Sequence, residues 1–141
     1  MIYLDTNVFI YAIEQHQKYG KFCEKILLDI ESEKLKVSAS IIVLVEILNV
    51  LKKINKILNK ERKKQLDIRK NIDAILSLPI IWLDLNFLTI KRATEYDYDI
   101  SGVDYIHTST MELNSITKII SADKDFDQVD FIQRIDPLEY K

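Results

Sequence analysis

The first eleven residues, MIYLDTNVFIY, constrain this chain more than any other stretch. Ile2, Tyr3 and Leu4 form a short apolar run of strand-forming types, and Asp5-Thr6-Asn7 ends it at once. Val8, Phe9, Ala12 and Ile13 then recur at helical spacing, so a helix is expected from Thr6 or Asn7. Open α/β sheets bind their ligands where strands end and helices begin, and Asp5 stands at such a place. Asp is also a common helix N-cap, so this stretch alone allows either a cap or a site carboxylate.

The rest of the chain repeats the theme. Phe22, Ile26, Leu27 and Ile30 recur at helical spacing within Tyr19–Glu33. Leu35-Lys36-Val37 is a strand candidate, and Ser38 or Ser40 is placed to cap a helix with the body IIVLVEILNVLKK. Asn55–Ser77 reads as one further helix or two, and Pro79 interrupts before the expected strand Ile80–Leu83. Asn86 is expected to cap a helix reaching about Tyr96, with Phe87, Ile90 and Ala93 turned inward. Ser101-Gly102-Val103-Asp104 opens the helix YIHTSTMEL, Lys118–Ser121 is another strand, and Phe131-Ile132 a last edge strand. Strands alternating with helices imply a parallel sheet with helices on both faces. Only two glycines and two prolines occur in 141 residues, with no linker or repeat, so residues 1–141 are expected to form one domain.

Composition narrows the class. Hydrophobic residues make up 48% and charged residues 30%, as in a folded soluble protein. No apolar run approaches the ~20 residues of a membrane span, and the first residues lack the features of a secretory signal. Cys23 is the single cysteine, so neither an intramolecular disulfide nor a cysteine-type zinc site is available. A cytoplasmic protein is expected. The net charge is −2, yet Lys52–Lys70 holds nine basic residues against Glu61 and Asp67, which leaves −9 elsewhere. Such a split fits a polyanionic partner, or equally a solvated helix face.

Carboxylates carry the chemistry. Glu46 sits among Ile42, Val43, Leu44, Val45 and Ile47, where an unpaired buried carboxylate would be costly without a cation, a metal or a proton. Asp104 stands at the N3 position of a capping box opened by Ser101. Asp123 directly follows the strand Lys118–Ser121, where an Asx-turn is the structural alternative, and Asp125 lies two residues on. In a parallel sheet Asp5 and Asp123 end their strands at the same edge, and Glu46 and Asp104 lie on helices able to meet it. Carboxylates so gathered repel one another unless divalent cations neutralise them, and hard oxygen donors suit Mg²⁺ or Mn²⁺ better than zinc. His107, three residues after Asp104, is expected to be a hydrogen-bonded structural histidine, with a proton carrier as the alternative. His16 and Cys23 are assigned no role.

The ordered set of strand–Asp5-Thr6-Asn7, isolated Glu46, Asp104-Tyr105-Ile106-His107 and Ser121-Ala122-Asp123-Lys124-Asp125-Phe126 resembles a PIN-domain nuclease. More narrowly, it resembles the VapC-like toxins of prokaryotic toxin–antitoxin pairs. The resemblance runs from Ile2 to about Phe131 and rests on the ordered set, not on any one motif. It implies a three-layer α/β/α fold around a five-stranded parallel sheet, and a Mg²⁺- or Mn²⁺-dependent endoribonuclease. The family's acidic tetrad corresponds to Asp5, Glu46, Asp104 and Asp123, with Asp125 able to share or take the fourth place. Thr6, Asn7 and Ser121 correspond to its supporting polar positions, and Lys60, Lys63 and Lys64 are the candidate RNA contacts in the basic segment. RNA, an antitoxin protein and a second copy of the chain are the partners expected. Two alternatives within the fold are an RNA-processing nuclease without antitoxin and a catalytically silent assembly module. A haloacid-dehalogenase-type phosphatase also begins with a strand ending in Asp, but it needs a second Asp where Asn7 stands.

Overall fold

Strands of only three or four residues suffice here because the central ones are covered on both faces, β2 being buried throughout its four residues. The computed structural model describes all 141 residues. Its strands are β1 (Ile2–Leu4), β2 (Val37–Ser40), β3 (Ile81–Leu83), β4 (Lys118–Ile120) and β5 (Gln133–Ile135). Between them run α1 (Thr6–Ile13) and α2 (Gly20–Glu31), α3 (Ile42–Lys60) and α4 (Ile68–Leu76), then α5 (Phe87–Ala93) and α6 (Gly102–Leu113). A 3₁₀ turn at Lys124–Gln128 joins β4 to β5. All four pairings are parallel, in the order β3-β2-β1-β4-β5. The expected three-layer α/β/α fold with five parallel strands is therefore present.

Alternation along the strands divides the interior in two. Leu4, Val37, Ala39 and Ile120 join Val8, Phe9, Ile26, Ile30 and Ile47 in one core. Tyr3 and Ile119 face the other way, into a smaller core with Met111, Phe126 and Val129. No helix is long and apolar enough to cross a membrane.

The chain leaves β1 for β2 and β3 on one side, then returns to add β4 and β5 on the other. The direction of winding thus reverses between β1 and β4, and their carboxyl ends part there to form a crevice. Asp5 follows β1 and Ser121 follows β4, so both border that crevice.

Four local expectations are corrected. Strand β2 is Val37–Ser40, not Leu35–Val37, because Ser38 and Ser40 are fully buried ladder residues; Ser40 still accepts the Ile42 N–H at 3.1 Å. Helix α3 runs unbroken to Lys60, and the break falls at 61–67, where Asn55 clamps both backbone groups of Leu66. Helix α5 buries Thr89 and Ala93, while Phe87 and Ile90 face solvent, since this short helix meets α6 through small residues. The last strand is Gln133–Ile135, because Ile132 is drawn into the smaller core just before the ladder starts.

Candidate active site

Asp5 takes the capping role and stands at the crevice as well. It caps α1, accepting the Thr6 N–H on Oδ1 at 2.7 Å, and it is buried beside the crevice. Its Oδ2 accepts from Ser121 Oγ at 2.6 Å and Asn7 Nδ2 at 3.1 Å. Ser121 Oγ in turn accepts the Asp123 N–H, and Asn7 Oδ1 accepts the Ala122 N–H, so the first turn of α1 is laced to the end of β4. Burial raises the Asp5 carboxyl and Glu46 pushes the same way, against the lowering effect of His107, Ser121 and the Thr6 N–H.

Glu46 lies on the second turn of α3 and reaches the site from the far side of Asp5. It is only half-buried, and its neighbours Val45 and Leu48 are exposed, which corrects the expectation of apolar cover all round. Its Oε1 accepts from Thr6 Oγ1 at 2.7 Å and lies 2.7 Å from His107 Nε2, while Oε2 has no hydrogen-bond partner. Burial would raise the Glu46 carboxyl, but His107 and Thr6 outweigh it and bring it below the usual range. His107 is wholly buried on α6, with Nδ1 2.5 Å from the Tyr3 hydroxyl and Nε2 3.9 Å from Asp5 Oδ1. Burial lowers the imidazole; Glu46, Asp5 and Asp104 reverse this and raise it.

The third group is Asp104, Asp123 and Asp125. Ser101 caps α6 by accepting the Asp104 N–H at 3.2 Å, but the Asp104 carboxylate makes no return bond, so only half of the expected capping box forms. That carboxylate instead lies with Asp123 and Asp125, ligand atoms within 4.8 Å of one another. Burial, then Asp5 and Asp123, raise the Asp104 carboxyl to about 7. Asp123 closes the expected turn as well, accepting the Asp125 N–H at 2.9 Å. Asp5, Glu46 and His107 form a matching group within the same 4.8 Å limit.

No lysine or arginine pairs with any of these five acids, although Arg92 and Arg134 each pair with two carboxylates elsewhere. Carboxylate oxygens with a single imidazole are donors suited to Mg²⁺ or Mn²⁺, and the unbalanced charge of Asp104 is what a cation would relieve. The residues present fit such an ion. Lys60 ends α3 and Lys63 and Lys64 lie in the following turn, all exposed; fourteen helical residues put Lys60 ~20 Å along the axis from Glu46. His16 accepts the Lys18 and Tyr19 N–H groups, and Cys23 is an inert core thiol pushed by burial to about 12. Tyr3 is the site neighbour that sequence reasoning missed, since nothing near it in the chain marks it as more than a strand residue.

Comparison with known proteins bears on the fold. The chain resembles in fold the VapBC2 complex of Rickettsia felis bound to a promoter DNA fragment, with TM-score 0.66, 20% identity, and coverage of 96% of this chain and 98% of that one. It likewise resembles Mycobacterium tuberculosis VapC20, a sarcin-ricin loop cleaving toxin, at TM-score 0.65 and 17% identity over 94% and 97% of the two chains. A toxin–antitoxin complex from Klebsiella pneumoniae superposes at TM-score 0.63 and 16% identity, over 99% and 100%. Among curated proteins, no sequence matches significantly. The PIN domain family profile matches residues 2–132, and this chain belongs to the PIN-domain family.

Proposed function

We propose that this protein is a Mg²⁺- or Mn²⁺-dependent endoribonuclease and the toxin of a toxin–antitoxin pair. One observation carries the reading: five acids from four separate parts of the chain border one crevice, no lysine or arginine pairs with them, and the single imidazole of His107 is the only basic group among them. A stability-driven fold would not leave them so, because like charges at short range cost free energy unless something neutralises them. Asp5, Asp104 and Asp123 would hold the ion, with Glu46 and Asp125 completing the set. When bound, the cation supplies electrostatic stabilisation of the phosphodiester and lowers the pKa of a water.

The chain's own residues supply the order. Ser121, Asn7 and the Thr6 N–H fix both oxygens of Asp5, so the central ligand cannot turn away. Thr6 and His107 hold one oxygen of Glu46 and leave the other open. Lys60, Lys63 and Lys64, exposed at the far end of α3, would contact the RNA backbone away from the cleaved bond, where phosphate contacts position without reading sequence. The partner proposal draws on the neighbours in fold, which are toxin–antitoxin complexes.

Asp5→Asn in an assay on mixed RNA with Mn²⁺, with and without chelator, tests the reading. Asn keeps the helix cap, so a structural Asp5 predicts little change, whereas a metal ligand predicts loss of cleavage with an intact fold. Chelator should abolish wild-type cleavage. Wild-type activity untouched by chelator, or retained in Asp5→Asn within a few-fold, sinks the proposal.

A further inference from the structure

Tyr3 is joined to Glu46 by a buried hydrogen-bond relay whose direction, when the His107 ring is neutral, is set by the backbone. Strand β1 ends at Leu4 and meets β2 only through Ile2 with Val37 and Tyr3 with Ser38. The Ile41 N–H donates to Leu83 O on β3, so the Ser40 N–H points the other way, toward β1, past the end of that pairing. It donates to the Tyr3 hydroxyl oxygen at 3.2 Å. The Tyr3 hydroxyl then has its own proton to give, and His107 Nδ1 lies 2.5 Å away. A neutral ring that accepts at Nδ1 carries its proton on Nε2, which faces Glu46 Oε1 at 2.7 Å. Both Tyr3 and His107 are fully buried, so no water competes for these partners.

We propose that Tyr3 is a positioning residue: through His107 it clamps one oxygen of Glu46 and leaves the other free for a divalent cation. A ring turned over about its last torsion would put carbon atoms against both Tyr3 and Glu46 and lose both bonds. The Tyr3 hydroxyl makes that orientation costly, because its proton would have no acceptor. The cation part rests on the metal-dependent reading above; the relay itself does not.

The test uses Mn²⁺ as the probe, by calorimetric titration, together with ¹⁵N shifts of the His107 ring at a pH where it is neutral. Wild type should show a protonated Nε2 and a bare, hydrogen-bonded Nδ1. Tyr3→Phe should weaken Mn²⁺ binding about tenfold, the low end for losing a group that orients a ligand. His107→Gln offers an acceptor to Tyr3 and a donor to Glu46, so it should bind Mn²⁺ within about twofold of wild type, while His107→Leu should lose about tenfold. Adding Tyr3→Phe to His107→Leu should cost nothing more, because the two act through one path. A neutral wild-type ring protonated on Nδ1 overturns the proposal, and so does Tyr3→Phe with unchanged affinity. Full additivity of the two losses does the same. Should His107→Leu not fold, Tyr3→Phe against His107→Gln decides, since only the first deletes the donor to Nδ1. Wild type that binds no Mn²⁺ overturns the metal reading and the cation-presenting role with it, and the ring shifts distinguish that result from failure of the relay.

Discussion

Asp104 is the residue on which the electrostatics of this site turn. It shares a group with Asp123 and Asp125, and the lowering effects of His107 and the Ser101 side chain are outweighed by burial and by Asp5 and Asp123. Its proton affinity lies at about 7, against 3.8 for the free side chain. The native state therefore holds a proton that the unfolded chain releases, and metal-free stability falls as pH rises between those values. Asp104→Asn removes the repulsion without removing the Ser101 cap, which uses the backbone N–H. The variant should melt several degrees higher than wild type at pH 8 without metal, equal it near pH 4, and gain less from added Mn²⁺. Melting curves with chelator across that range check this; parallel curves for the two proteins would remove Asp104 from the cluster. Asp104 was legible in the sequence as the acid of a capping box, of which only the Ser101 half forms, and as one of several acids at one sheet edge, where the fold sets it beside Asp123 and Asp125. Tyr3 was not legible, because its partner His107 is 104 residues away and only the folded sheet brings them together.

Helix α3 joins the acids to the lysines. Its second turn carries Glu46 and its last residue is Lys60, so one rigid element holds the site at one end and positive charge at the other. Binding of a nucleic-acid backbone by Lys60, Lys63 and Lys64 releases counterions and weakens with salt. Replacing all three with Gln should lower RNA affinity and flatten the plot of log affinity against log salt by about two, at ~0.7 per single-strand contact. Lys63 contributes least, since it pairs with Glu61 at 3.2 Å. Cleavage at saturating RNA should be spared. Filter binding at several salt concentrations measures this, and an unchanged slope would leave the lysines as a solvated face or a surface for an acidic partner. Elements themselves were legible where apolar period and caps agreed, as in α1 and α6, and in α2 from period alone. They were misjudged where tertiary context overrode local signal: buried serines form β2, and a side-chain clamp from Asn55, not a breaker residue, shapes the turn after α3. The strand order was invisible, since it depends on which helix pair crosses which face.

That strand order makes the crevice, and it also leaves exposed hydrophobic residues on two helices. Strands β2 and β3 lie together on the side away from β4, and each leads into a helix with exposed hydrophobic residues. These are Ile41, Val45 and Leu48 at the start of α3, and Phe87, Leu88 and Ile90 in α5, with Phe87 92% exposed. Exposed apolar side chains in such number mark a surface used for association, and burying ~800 Å² per partner is the usual scale of a stable interface. A second copy of the chain is the occupant we expect, because a two-fold axis lets an apolar patch bury itself against its own copy. Wild-type protein should elute with twice the mass of one chain in light-scattering chromatography. Phe87→Lys should run as a monomer, with unchanged circular dichroism. It should keep the stabilisation by Mn²⁺, since every proposed ligand belongs to a single chain. A wild type that is monomeric at every concentration, or a Phe87→Lys variant that still dimerises, removes this face as the dimer contact.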